Sequence, residues 1–232
     1  MNPVNAVPQH IAAVILDMDG TLLDTERMYK ACTFETLTRL GWPDRQDLIR
    51  AMVGLSSKKC DALLMATLGP AFPLEAYHEA FQVCRAAKVA QGIPLKTGAT
   101  ELIASLSASG LPFAIATSST RYAAEHHLTA AGLRPYFDTV VTADDVAEAK
   151  PSPDLYLEAA RRLGVDPAGC FAVEDSGHGV RSAHAAGMTT LLVPDMVVPD
   201  ADVVALCAAV FKDLFEALDY MAQHVPALRV SV

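Results

Sequence analysis

The sequence predicts an α/β protein: a doubly wound parallel sheet with an all-helical domain inserted after its first strand. Three observations carry this reading. Residues 11–16 (Ile-Ala-Ala-Val-Ile-Leu) are apolar without a break, a run too short for a membrane span and without helical periodicity, which fits a strand buried on both faces. From Gly98 onward, short apolar runs alternate with helix-length segments, as strands and crossover helices do in a parallel sheet. Between these parts, residues 25–91 carry helical patterns and no strand signal.

In chain order, Asp24-Thr25-Glu26 offers an N-cap with an acid in the first turn, and a helix is expected over 29–40, closed by Gly41 ahead of Pro43. Helices over 47–53, 57–68 and 74–90 follow, separated by Gly54 and by Gly69-Pro70, and Gly92-Ile93-Pro94-Leu95 reads as a linker. A helix over 99–107 leads through Gly110 to a strand over 112–116, and a helix over 122–131 ends at Gly132. Strands near 139–141, at 170–173 and at 189–193 are separated by helices over 154–163 and 179–186, and a short strand over 209–211 precedes a last helix over 214–224. The expected domains are therefore 1–23 together with 95–232, and 24–94. An insertion at that point is expected to project over the carboxyl ends of the strands.

With 52% apolar and 19% charged residues in 232, the chain can bury a sizeable core and is not disordered. Its 27 acidic and 18 basic side chains give a net charge of -9, which argues against a nucleic acid or an anionic membrane as partner. Any anionic substrate would need a local cation. No basic start feeds an apolar run, so no secretory signal is expected, and residues 191–211 are broken by Pro194, Asp195, Pro199, Asp200 and Asp202 and are not expected to span a bilayer. Cys32, Cys60, Cys84, Cys170 and Cys207 are odd in number and scattered, without a CxxC pair. That excludes a zinc ribbon, argues against a disulfide framework, and suits small buried side chains in a reducing cytoplasm.

The chemistry collects at strand ends. In extended chain, residues two apart point the same way, so Asp17 and Asp19 face one crevice beyond the carboxyl end of the first strand, where open α/β sheets bind ligands. Like charges so close call for a cation or a shared proton, and Gly20 allows the sharp turn that follows. The second strand runs into Thr117-Ser118-Ser119, whose hydroxyls and free backbone N–H groups suit an anion. Lys150-Pro151 follows the third strand region and supplies a cation. Glu174-Asp175 ends the fourth strand, and carboxylates beside a phosphate suit a hard cation such as Mg²⁺. Each cluster has an ordinary explanation in helix capping or a solvated surface. Their arrival at four successive strand ends does not. His126 and His127 on the helix over 122–131 are expected at the surface, and His178 in an exposed turn.

The ordered set Asp17-x-Asp19-Gly20-Thr21, Thr117-Ser118, Lys150-Pro151 and Glu174-Asp175 resembles the haloacid dehalogenase-like hydrolase superfamily. Asp24-Thr25-Glu26, Pro94-Leu95-Lys96-x-Gly98 and Glu174-Asp175-Ser176-x-x-Gly179-Val180 are similar to its beta-phosphoglucomutase-like phosphatases. The resemblance implies a Rossmann-like catalytic core and a C1-type helical cap. It implies that Asp17 attacks phosphorus, forming an aspartyl-phosphate, and that Asp19 protonates the leaving oxygen and then activates water. Thr117, the Ser118 backbone and Lys150 would hold the phosphoryl group. Mg²⁺ would be held by the Asp17 carboxylate, the Asp19 backbone carbonyl and Asp175, with Glu174 in support. The aspartate at position 19 argues against carbon–halogen and carbon–phosphorus cleavage. Beta-phosphoglucomutases carry a histidine where Tyr29 stands and an arginine in the cap loop, where Gly54-Leu55-Ser56-Ser57 offers none. Hydrolysis of a small phosphorylated metabolite, a sugar or polyol phosphate, is therefore expected, with a sugar phosphomutase as the alternative. Glu26, Arg27, Tyr29, Ser57 and Lys58 are the candidates for substrate choice, and Lys58 or Lys59 for an additional positive charge. The enzyme is expected in the cytoplasm, as a monomer or weak dimer.

Overall fold

The structure, a computed structural model, describes residues 7–52 and 57–229. It divides into two compact units: residues 1–23 with 94–232, and residues 24–93. In the first unit the strands are β1 (Ala13–Leu16), β2 (Phe113–Ala116), β3 (Val140–Val141), β4 (Cys170–Glu174), β5 (Thr189–Leu192) and β6 (Ala209–Val210). They form one sheet in the order β3-β2-β1-β4-β5-β6, and every neighbouring pair is parallel. β1 therefore lies between β2 and β4, which brings the three strand ends richest in polar residues side by side. Register follows: Leu16 pairs with Ile115 on one side and Val173 on the other, so Asp17, Ala116 and Glu174 leave the sheet at one level.

The helices of the two units are α1 (Thr25–Arg39), α2 (Gln46–Met52), α3 (Ser57–Leu68), α4 (Leu74–Ala90), α5 (Ala99–Ser109), α6 (Arg121–Ala130), α7 (Asp154–Leu163), α8 (Gly177–Ala185), α9 (Ala201–Val204) and α10 (Leu214–His224). Alternation along the strands distributes them. Ala13, Ile15, Ala114, Ala116, Cys170 and Ala172 face Leu155, Tyr156, Ala159 and Ala160 of α7 and Ala183 of α8. Phe171, one residue out of phase, packs its ring on Tyr220 and His224 of α10 on the opposite face. Small residues on the α7 side let that helix approach the sheet closely, which later places Tyr156 at the site. The helical unit has its own core of Leu37, Leu48, Ile49, Leu64, Phe72 and Tyr77, and none of its described residues is in a strand.

The differences from expectation are local. β1 begins at Ala13 rather than at residue 11, although Ala12 still donates to the Gly169 carbonyl. α1 begins at Thr25, four residues before the apolar pattern starts, and Asp24 makes no side-chain cap bond there; its carboxylate instead meets Arg27 at 3.2 Å. α8 starts at Gly177 because the Ser176 hydroxyl accepts from the Gly179 N–H, a cap that the glycines disguise in sequence. The short α9 was not expected, and β6 takes in two of the three residues expected for the last short strand. Among the described residues, no helix is long and apolar enough to cross a membrane.

Candidate active site

Four side chains from three strand ends meet at the centre of the sheet. Lys150 Nζ donates to Asp17 Oδ1 at 2.5 Å and to Glu174 Oε1 at 2.6 Å, with the lysine side chain 6% exposed and Glu174 wholly enclosed. Asp175 joins them: Asp17, Glu174 and Asp175 each offer a carboxylate oxygen within 4.8 Å of the others. The hydroxyl of Thr21 reaches Asp175 Oδ1 at 3.4 Å. One formal cation faces three acids in a space that water scarcely enters.

The electrostatics follow from that count. Burial drives the Asp17 carboxyl up to about 7, with the Lys150 ammonium pulling it down and the Glu174 charge pushing it further up. Burial likewise raises Asp175 well above its ordinary value, and the neighbouring Asp17 and Glu174 charges add to this. For Lys150, burial pulls downward, but attraction to Asp17 and Glu174 outweighs it and holds the ammonium charged. Asp17 Oδ2 is buried and accepts no hydrogen bond. An oxygen-only donor set with excess negative charge and an unpartnered carboxylate oxygen fits a hard divalent cation.

Two glycines make the cluster possible. A Cβ on Gly179 would lie 1.9 Å from the Glu174 carboxylate, and a Cβ on Gly20, whose φ is +89°, would lie 2.3 Å from Asp175 Oδ2. The acids occupy the space that side chains would fill. On the β2 side, Thr117 is buried, its N–H donates to the Val141 carbonyl and its hydroxyl accepts from the Ser119 N–H, while Ser118 is exposed. The Asp19 side chain stands apart from the acid cluster and meets Ser119 and His127.

The family profile described as haloacid dehalogenase-like hydrolase matches residues 14–193, which takes in all four strand-end clusters. The chain belongs to that family. The hydrolase is 36% identical over 198 residues to the protein CbbY of Rhodobacter capsulatus, a match spanning 79% of this chain and 86% of that one. It is 34% identical over 184 residues to the fructose-1-phosphate phosphatase YqaB of Escherichia coli, spanning 78% and 95%. Its fold is similar to the crystal structure of a HAD family hydrolase from Deinococcus radiodurans with bound phosphate and sodium, at a TM-score of 0.82 and 27% identity over 97% of this chain and 100% of that one.

Within the helical unit of the hydrolase, Glu26, Tyr29 and Ser57 line a cavity of about 370 Å³ together with Asp61, His78 and Arg85. His78 Nε2 lies 3.1 Å from Asp61 Oδ1 on its wall. Arg27 and Lys58 are exposed and do not line it. Gly54, Leu55 and Ser56 lie outside the described residues.

Two site residues were not foreseen. Tyr156, in the first turn of α7, is completely buried, donates its hydroxyl to Glu174 Oε1 at 2.5 Å and carries Lys150 Nζ 5.1 Å from its ring centroid. Its signal was available: it sits two residues after Asp154 on the inward stripe of an amphipathic helix that starts just beyond Lys150. His127, expected at the surface, is 3% exposed and is a correction. The inward stripe of α6 runs through Ala124, His127 and Leu128, one residue out of phase with the exposed His126.

Proposed function

We propose that the hydrolase is a phosphoric monoester hydrolase acting on a small phosphorylated sugar or polyol. The observation that carries this reading is the buried Asp17 carboxylate, bridged by Lys150 to Glu174 on one oxygen and without a hydrogen bond on the other. The Asp17 and Asp175 carboxylates each offer an oxygen within 4.8 Å of the other. The relatives support the substrate class: one is a fructose-1-phosphate phosphatase.

In the proposed reaction Asp17 attacks phosphorus in line, forming an Asp17–phosphorus bond as the bond to the sugar oxygen breaks. Asp19 gives its proton to the departing oxygen, then takes one from the water that attacks the aspartyl-phosphate, releasing inorganic phosphate and restoring Asp17. Lys150 neutralises charge on Asp17 and on the phosphoryl oxygens, and the Thr117 hydroxyl and Ser118 backbone N–H bind those oxygens. Asp17, Asp175 and the Asp19 carbonyl would hold Mg²⁺, with Glu174 in direct or outer-shell support, its Oε1 engaged by Lys150 and Tyr156. When bound there, Mg²⁺ supplies charge neutralisation and orientation of the phosphoryl group. Substrate choice is assigned to the helical unit, through Glu26, Tyr29 and Ser57 on the cavity wall and through the exposed Arg27 and Lys58.

The test is phosphate release from a panel of sugar and polyol phosphates with Mg²⁺ present. Wild type is expected to release phosphate from at least one of them, and Asp17→Asn from none, since an amide is a poor nucleophile. Turnover by Asp17→Asn near the wild-type rate, or a sugar-phosphate isomer as product in place of phosphate, would overturn the reading.

A further inference from the structure

Asp19 is held differently from the other acids. Asp17 and Glu174 share Lys150, whereas the Asp19 side chain is 25% exposed and outside the three-carboxylate group. Both of its oxygens are gripped by the single segment that follows β2. Ser119 Oγ donates to Oδ2 at 2.7 Å, and His127 Nδ1 lies 3.3 Å from Oδ1. Ser119 is in the loop where the strand ends, and His127 is two turns into α6, whose cap is the Thr120 side chain.

His127 is costly to place. It sits on an inward stripe between Ala124 and Leu128, where an aliphatic side chain would pack without a polar atom to satisfy. The residue that gives its imidazole a use there is Asp19. A carboxylate on two rotatable bonds samples several rotamers unless it is restrained. One hydroxyl and one imidazole from a rigid strand-to-helix segment restrain both oxygens at once.

We propose that His127 is a positioning residue: with Ser119, it fixes the rotamer of the Asp19 carboxylate for proton transfer to and from the reacting oxygen. This rests on the reading of Asp19 as the proton donor, and the two can be told apart. Protonation matters most when the leaving group is a poor one. A sugar alkoxide needs a proton to depart, and 4-nitrophenolate does not. Displacing Asp19 should therefore weigh on the first substrate far more than on the second.

The experiment measures kcat and kcat/KM on fructose 1-phosphate and on 4-nitrophenyl phosphate for wild type, Asp19→Asn, His127→Leu, His127→Asn and His127→Gln. Asp19→Asn is expected to lose at least about a hundredfold in kcat/KM on the sugar phosphate, within the range of general-acid contributions, and far less on the aryl phosphate. His127→Leu should follow the same pattern, with a loss of about tenfold or more on fructose 1-phosphate, an aryl loss several times smaller, and KM within about threefold of wild type. His127→Asn puts an amide nitrogen near the place of Nδ1 and should recover much of the rate. His127→Gln reaches to the place of Nε2 and should not. If the core rejects leucine, the contrast between asparagine and glutamine carries the same comparison. Equal losses on both substrates for the His127 variants, no loss, or no difference between asparagine and glutamine would overturn the proposal. Should Asp19→Asn itself lose equally on both substrates, the proton-donor reading falls and takes this one with it. A graded loss in Asp19→Asn with none in the His127 variants would sink the positioning role alone.

Discussion

Replacing Tyr156 by phenylalanine removes one oxygen from the deepest part of the site and nothing else. The phenol is fully buried and donates to Glu174 Oε1 at 2.5 Å. Burial, and after it the Glu174 charge, raises its titration far above the working range, so it remains a donor at any usable pH. The ring stays in Tyr156→Phe, so its packing on the sheet survives and no sizeable cavity opens. The loss is one hydrogen bond to a buried carboxylate, about 1.5–3 kcal/mol. For a chain of this size each kcal/mol moves the midpoint by roughly 2–4 °C, so Tm should fall by roughly 3–12 °C. Turnover should fall by less than about tenfold, because Lys150 still bridges Asp17 and Glu174. Lys150→Met is the contrast: it strands two buried carboxylates without a cation, at about 3–5 kcal/mol, and should abolish turnover. Thermal unfolding followed by circular dichroism, with phosphate release on the same samples, checks both. A Tm within about 1 °C of wild type for Tyr156→Phe would mean that the phenol does not hold Glu174. A turnover as low as that of Lys150→Met would mean that it does more than hold it.

Gly179→Ala should cripple the site from a position with no functional group. Its Cβ would lie 1.9 Å from the Glu174 carboxylate, so the variant should lose at least about 1–3 kcal/mol to overpacking and most of its turnover, measured by denaturant titration and phosphate release. Asp145 should make stability pH-dependent. Although burial pushes its carboxyl up, Arg162, Thr142 and Arg121 together hold it down at about 2. Its folded value lies below its unfolded value, so its contribution is present above pH ~4 and is lost as pH falls towards 2. Solvent on its open side limits that contribution to about 1–2 kcal/mol, and the stability gap between wild type and Asp145→Asn should close over that interval in urea titrations at stepped pH. Chelation should stop phosphate release and Mg²⁺ should restore it, with the far-ultraviolet circular dichroism unchanged. Persisting turnover in chelator would remove the cation from the proposed reaction.

The sheet was legible because its signal is dense. Unbroken apolar runs at 13–16, 113–116 and 170–173, and the β-branched and apolar stretch at 189–192, admit few structures, and glycine marks the helix ends at 41, 110, 132, 164 and 187. The strand-end acids and Lys150 were legible because chemistry-bearing residues recur at the same grammatical position. What escaped depends on phase and on long-range packing. His126 and His127 are chemically the same residue, and a rotation of 100° along α6 separates the exposed one from the buried one. Nothing local to the pair states which way it faces. Tyr156 looked like any aromatic on an inward stripe, and its hydroxyl acquires a partner only because β4 ends 18 residues later beside Lys150. Asp24 carried a sound capping signal, yet Arg27 took its carboxylate.

The chain leaves the sheet-bearing unit and returns to it through one doorway. Leu23 pairs antiparallel with Leu95, and the Lys96 N–H donates to the Leu22 carbonyl at 2.9 Å. Departure and arrival are thus stitched together before residues 24–93 begin. Whatever is threaded between those two points can grow, shrink or be exchanged without altering the distance that the sheet must bridge. Natural variation can then rewrite what is recognised while leaving untouched the machinery that does the chemistry.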